Sequence, residues 1–230
     1  MTARWLTGDA LAFDTETTGV DPLNDRIVTA CAVLVGKAGA HFRGRWLINP
    51  GVPIPPGATA IHGVTDEKAR ADGASPADAI PAMAMALEGA WAEGLPVIIM
   101  NAHFDLTILQ AEIERHSATS LRIGPVLDPL VIDRALDPYR KGKRNLAALA
   151  QHYGVKQDGA HSSDGDALTA ARIIWKQAKE PRIEQHTLEQ IQEWQARQHA
   201  EWAGQFEVWL RQQGKPEVIN RDWPTRKAAA

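Results

Sequence analysis

ALAFDTETTG, residues 10–19, runs from four small or apolar residues through Asp14, Thr15 and Glu16 to small residues ending in a glycine. Its apolar half reads as a buried strand. Alternate residues of a strand point to one side, so Asp14 and Glu16 face a common spot. Charges at the end of a buried strand need a partner, and Thr17-Thr18-Gly19 is a small-residue turn whose backbone can approach a ligand. Alone, the D-x-E pattern carries little. With 28 acidic residues among 230, about one such pair arises by chance.

Outward from this strand, Ile27–Val35 and Phe42–Ile48 are further β-rich runs. The turn-formers of Gly19–Asn24 and Gly36–Gly39 separate the three, which predicts an antiparallel meander. The Pro/Gly-rich stretch 49–65 reads as a loop with little regular structure. Ser75 opens a helical pattern through Ala92, with Pro76 in the first turn where its missing N–H is harmless. Pro96–Asn101 and Val126–Leu130 read as strands, and helices are expected over Phe104–Arg115, Asn145–Tyr153 and Ser163–Lys179. A meander followed by alternating strands and helices predicts an α/β fold, a mixed sheet with helices on both faces.

Composition shifts after Glu180-Pro181. From Glu184 to Gln213, the apolar residues Leu188, Ile191, Trp194, Trp202, Phe206, Trp209 and Leu210 fall mostly three or four apart. This predicts an amphipathic helical extension that packs on the domain or docks a partner. The expected division is a domain over 1–179 and an extension with a frayed end, Pro224–Ala230, over 180–230.

The chain is 44% hydrophobic and 23% charged, which excludes a disordered or collagen-like protein. Apolar runs such as ACAVLV (30–35) are far too short to span a bilayer. The N-terminus lacks the apolar core of a signal peptide, so the expected location is cytoplasmic. A single cysteine, Cys31, cannot form an intramolecular disulfide. The net charge of −3 excludes a strongly basic nucleic-acid coat, but not an enzyme acting on a nucleic-acid end, which needs few phosphate contacts.

Two further clusters resemble the first in placement. NAHFD (101–105) follows an apolar strand; if that strand is parallel to the first, Asp105 projects from the same sheet edge as Asp14, where open α/β sheets bind ligands. The alternative is that Asp105 complements a helix N-terminus. HSSDGD (161–166) leads into a helix. Ser163 to Asp166 fits a capping box, and His161 with Asp166 can also converge on one point. Four carboxylates, Asp14, Glu16, Asp105 and Asp166, cannot share a small volume ionised without cations. Hard oxygen donors select Mg²⁺ or Mn²⁺. Two such ions about 4 Å apart form the clamp for in-line phosphoryl displacement. An imidazole titrating near pH ~6.5 suits deprotonation of water, which gives His161 a role. The basic cluster Pro138–Arg144 is either a phosphate contact or a solvated loop, and Asp128 and Asp133 have no task beyond local hydrogen bonding.

FDTETTG (13–19), NAHFD (101–105) and HSSDGDA (161–167) together resemble the three motifs of the DnaQ-like 3′→5′ exonucleases, the DEDD group with a histidine in its third motif. The resemblance runs from about Ala10 to Ala178, and IHGVT (61–65) and RNLAALAQHYGV (144–155) also look like family segments. It implies a ribonuclease-H-like sheet, two divalent metal ions and removal of 3′-terminal nucleotides from a single-stranded or frayed end. By position, Asp14, Glu16, Asp105 and Asp166 match the metal-binding carboxylates and His161 the general base. Thr17, Gly19 and His62 match residues near the terminal nucleotide. Ser163 stands where the family often has alanine. DNA is the leading substrate expectation; the alternatives are an exoribonuclease of the same family and a polymerase-associated subunit that docks through the C-terminal helix.

Overall fold

The computed structural model describes residues 8–116, 120–157, 159 and 161–226. Three strands, β1 (Ala10–Thr17), β2 (Ile27–Gly36) and β3 (Gly39–Leu47), form the antiparallel meander. β4 (Val97–Ile98) and β5 (Val126–Leu127) add in parallel to β1, giving the order β3-β2-β1-β4-β5. β1 continues past its apolar half to Thr17, so Asp14 and Glu16 lie within the strand rather than at its end.

The helices are α1 (Pro56–His62), α2 (Asp66–Asp72), α3 (Pro76–Ala92), α4 (Ala102–His116), α5 (Pro129–Leu136), α6 (Leu146–Tyr153), α7 (Ser163–Gln177), α8 (Pro181–Glu184) and α9 (Leu188–Gln212). The stretch 49–65 is not all loop. α1 occupies its centre because Pro56 sits in the first turn and Gly63 closes the helix in the left-handed conformation (φ 75°). The residues that signal irregular chain are here the two ends of a helix. α2 and α5 start the same way: Thr65 accepts from Lys68 N–H, and Asp128 accepts from Leu130 N–H ahead of Pro129. α7 is capped by Ser162, which accepts from Gly165 N–H; the capping box expected at Ser163 does not form, because the cap lies one residue earlier and its third helical position is a glycine without a side chain to reciprocate. α9 begins at Leu188 rather than at 184, where Thr187 and Gln190 form a reciprocal capping box.

Helices cover both faces of this ribonuclease-H-like mixed sheet. Leu11, Phe13, Val97 and Ile99 point toward α3 and α4 and meet Ile80, Met83, Leu87, Leu106 and Leu109. Each such side chain, fully buried, contributes roughly 1.5–3 kcal/mol. The intervening residues Ala10, Ala12 and Ile98 face α7, where they meet Ala167, Ala170, Ala171 and Ile174. Alanine against alanine lets α7 lie close to β1, which brings the first turn of α7 to Asp14 and Glu16.

α9 is bonded to the sheet edge. Gln192 Oε1 accepts from Val126 N–H (3.0 Å), and Gln195 Oε1 from Asp128 N–H (2.8 Å). Gln195 Nε2 donates to the Val126 carbonyl (2.9 Å). Two glutamines thereby satisfy backbone groups that a sixth strand would otherwise pair. Of the end expected to fray, 224–226 is described and Arg226 N–H donates to Thr107 Oγ1 (3.0 Å); residues 227–230 lie outside the described residues. Among the described residues no helix is long and apolar enough to cross a membrane.

Candidate active site

Alternation along β1 sorts its polar residues. Asp14 and Glu16 share the α7 face with Ala10 and Ala12, while Thr15 shares the α4 face with Leu11 and Phe13. On the first face, carboxylate oxygens of Asp14, Glu16 and Asp166 lie within 4.8 Å of one another. On the other, Asp105 is 4% exposed and its Oδ1 accepts from Thr15 Oγ1 (2.7 Å) and Thr15 N–H (3.1 Å). The structure thus brings three of the four sequence-derived carboxylates to one point and hangs the fourth from the residue between the first two.

Asp105 is positioned by a residue to which the sequence assigned no such task. Buried Asp128 accepts from Asn101 N–H (3.0 Å), Ala102 N–H (3.0 Å) and Leu130 N–H (2.9 Å), tying the starts of α4 and α5 together. Asn101 adopts a left-handed conformation (φ 62°), so the chain turns sharply between β4 and α4.

The electrostatics follow from crowding and burial. Burial, then the charges of Asp105, Asp166 and Glu16, hold the Asp14 carboxyl well above the usual range. Burial and Asp166 push Glu16 up to about 7, with His161 opposing. Burial raises Asp105 to about 7 despite the two Thr15 hydrogen bonds. Burial also raises Asp166, against hydrogen bonds from Gln157 and the His161 backbone. Raised in this way, the carboxyls favour their protonated forms, and a hard divalent cation would favour the ionised ones. Three clustered carboxylates without a thiolate suit Mg²⁺ or Mn²⁺.

His161 stands beside this cluster. It is exposed, has φ 63°, and its N–H donates to Asp166 Oδ2 (3.3 Å). Its side chain lines a cavity of about 450 Å³ with Glu16 and His62. Across that cavity Arg45 reaches from β3 to Asp164 on α7 (2.9 Å), holding the turn that carries His161 against the sheet. Neither Arg45 nor Thr15 stood out in the sequence. Thr15 was legible only as the off-phase residue of D-x-E, and Arg45 had no signal.

The three residues expected near a terminal nucleotide separate. Thr17 and Gly19 line a second cavity of about 740 Å³, which shares Glu16 with the first. His62 lines only the first cavity of these two; burial lowers its pKa, with the Thr17 backbone carbonyl opposing. Gly19 has a structural reason of its own, since a Cβ there would meet Asp25 Oδ2 at 2.5 Å. The basic cluster 138–144 divides, with Lys141 and Lys143 exposed and its two arginines engaged. Arg140 and Arg144 turn inward onto buried Asp133, which also accepts from Tyr153 OH (3.0 Å).

Residues 11–174 match the RNase_T family of exonucleases. The chain belongs to this family. Its three motifs place this exonuclease with the DnaQ-like members. The DNA polymerase III subunit epsilon-like protein of Rhodobacter capsulatus is 32% identical over 174 residues, 71% of this chain and 23% of that protein. A PolC-type DNA polymerase III of Streptococcus thermophilus is 27% identical over 185 residues, 80% of this chain and 12% of the polymerase. The exonuclease thus spans only a minor part of these relatives. Among solved structures, E. coli exonuclease I in complex with a dT13 oligonucleotide matches with a TM-score of 0.58 at 20% identity, covering 76% of this chain and 42% of that one. Exonuclease X in complex with 5′ overhanging duplex DNA matches with a TM-score of 0.58 at 22% identity, covering 81% and 99%. Both likenesses are of fold.

Proposed function

We propose that the protein removes nucleoside 5′-monophosphates from the 3′ end of a nucleic acid, DNA in the first place, using two divalent cations, Mg²⁺ or Mn²⁺. The observation that carries this is the meeting of Asp14, Glu16 and Asp166 within 4.8 Å on the α7 face of β1, beside a histidine that shares a cavity with Glu16. Bound cations would neutralise the phosphodiester and favour in-line displacement. Asp14, Glu16 and Asp166 hold them, and Asp105, fixed by Thr15 and Asp128, completes the acidic set. His161 takes a proton from the attacking water. The water oxygen bonds to phosphorus, the bond from phosphorus to the 3′ oxygen of the preceding nucleotide breaks, and that oxygen takes a proton from solvent to become a new 3′ hydroxyl. Thr17, Gly19 and His62 flank the terminal nucleotide. Support for DNA comes from the structural relatives bound to an oligonucleotide and to an overhanging duplex.

The test is degradation of end-labelled DNA and RNA oligonucleotides with free or blocked 3′ ends. Stepwise shortening that stops at a blocked 3′ end, ceases in chelator and returns with Mg²⁺ or Mn²⁺ is expected. Full activity in excess chelator, or release from the 5′ end, overturns the reading. RNA shortened faster than DNA would move the assignment to the exoribonuclease alternative.

One observation favours an additional docking role. Val208 and Trp209 on α9 are 53% and 52% exposed, and the Trp202, Phe206 and Trp209 rings stack in sequence along the helix (5.3 and 5.6 Å between centroids). A polymerase-type partner suits this face, as the relatives are polymerase III proteins. Co-elution with such a partner, lost on Trp209→Ala, tests it.

A further inference from the structure

The larger cavity beside the carboxylates is not walled by the matched region alone. On one side it is lined by Glu16, Thr17 and Gly19, and on the other by residues of α9 and of the segment that follows it, including Asn220 and Arg226. That segment lies beyond residues 11–174. It is pinned along its length. Ile219 N–H donates to Glu207 Oε1 (2.8 Å), His199 Nε2 donates to the Asn220 carbonyl (3.1 Å), and His103 Nε2 lies 3.4 Å from Asn220 Oδ1. Trp223 Nε1 donates to Asp128 Oδ2 (3.4 Å). The last of these attaches the segment to the residue that positions α4 and Asp105.

Arg226 ends the pinned run. Its backbone is held by Thr107, but among the described residues its guanidinium has no hydrogen-bond or ion-pair partner, and its Nε is buried and unpaired. Asp21, the carboxylate that feels its charge, is already occupied by Asn24 Nδ2 and Leu23 N–H. The other arginine lining this cavity, Arg134, is engaged over the Trp202 ring at 3.4 Å. The buried Nε is out of a ligand's reach, but the residue lines the cavity, and a guanidinium there without a partner is available for a charge-assisted hydrogen bond to an anionic ligand. The catalytic end of the cleft is acidic, so a strand lying in it needs compensation for its phosphates elsewhere.

We infer that segment 217–226 is the second wall of the substrate cleft, and that Arg226 contacts a backbone phosphate of the strand on the 5′ side of its terminal nucleotide. This rests on the exonuclease reading for its orientation, but the contact itself is a binding event. The experiment is equilibrium binding of a fluorescent single-stranded oligothymidylate to the full chain in Mg²⁺, with Asp14→Asn present throughout to prevent degradation. Adding Arg226→Ala should raise Kd about tenfold, the scale of a charge-assisted hydrogen bond. It should also lower the slope of log Kd against log salt by about 0.7, one phosphate's share on a single strand. Arg226→Lys should keep the slope. An unchanged Kd and slope overturns the inference. So does a weakened Kd with the wild-type slope and a lowered unfolding temperature, which would mark Arg226 as structural. If the oligonucleotide binds as described but the chain without Asp14→Asn does not shorten it, the exonuclease reading fails and the contact stands.

Discussion

Two carboxylate sites of this molecule are built on opposite terms. Asp133 on α5 is completely buried and answered: Arg140 and Arg144 pair with it and Tyr153 donates its hydroxyl. On the α7 face of β1, Asp14, Glu16 and Asp166 crowd together with no cationic side chain paired to any of them among the described residues; only the His161 imidazole stands near. The first arrangement neutralises itself and closes the loop between α5 and α6. The second leaves an excess of negative charge that a divalent cation would neutralise. Self-sufficient burial is what a structural site needs, and unanswered burial is what singles out the cluster proposed as the reactive one.

The largest difference between the two should appear on substituting one acid at each. Asp14→Asn should reduce nuclease turnover by roughly 10³-fold, the scale of removing a preorganised electrostatic group. In chelator it should unfold at the same or a higher temperature, because it relieves repulsion from Asp105, Asp166 and Glu16. Asp133→Asn should do the reverse, costing about 3–5 kcal/mol in denaturant unfolding by leaving two arginines unanswered, with turnover per folded molecule retained. Large activity loss together with full stability in Asp133→Asn would break the comparison.

His161→Ala sharpens the reactive side. Loss of a general base should cost on the order of 10² or more in turnover, with affinity for divalent cations nearly unchanged. Wild-type turnover in a folded variant would remove the residue from the mechanism.

The pH dependence of stability should separate the sites next. Glu16 and Asp105 are raised to about 7, and Asp14 and Asp166 are raised as well. Between the unfolded values near ~4 and these folded values, the native state binds more protons than the unfolded state. Stability of the metal-free protein therefore falls as pH rises through that window. The unfolding temperature in chelator should drop from pH ~5 to pH ~8, and Mg²⁺ should flatten the drop. A flat profile in chelator would show the acids to be already neutralised.

The smallest effect belongs to Thr15→Val. It removes the 2.7 Å hydroxyl bond to Asp105 but leaves the backbone bond, so turnover should fall about tenfold, the worth of one hydrogen bond to a charged group. A loss as deep as that of Asp14→Asn would mean that Asp105 depends on this hydroxyl alone.

Much of the candidate site was legible because its residues belong to short local patterns: D-x-E following a buried apolar run in one strand, a strand followed by Asp105, a loop histidine leading into a helix. Less legible were elements whose signals mimic irregular chain. Pro56 and Gly63 bracket α1, so residues that read as breaks are helix ends, and the run 126–130 expected as one strand is strand only to Leu127, because Asp128 caps α5 from Pro129. The basic run 138–144 was illegible for another reason: whether Arg140 and Arg144 face water or Asp133 depends on where α5 lies, which no local pattern records.

By itself, the sequence determined the α/β order, the alternation that puts Asp14 and Glu16 on one face of β1, and the candidate acids and candidate histidine. All of these are properties of neighbouring residues and of strand and helix periods. Tertiary structure decided which acids meet. Alanine packing between β1 and α7 brings Asp166 to Asp14 and Glu16, while Thr15, pointing the other way, holds Asp105. It also decided that a segment more than fifty residues after the third motif lines the cleft. Such meetings depend on side-chain volume and on hydrogen-bond partners distant along the chain, so they arise only when the layers close together.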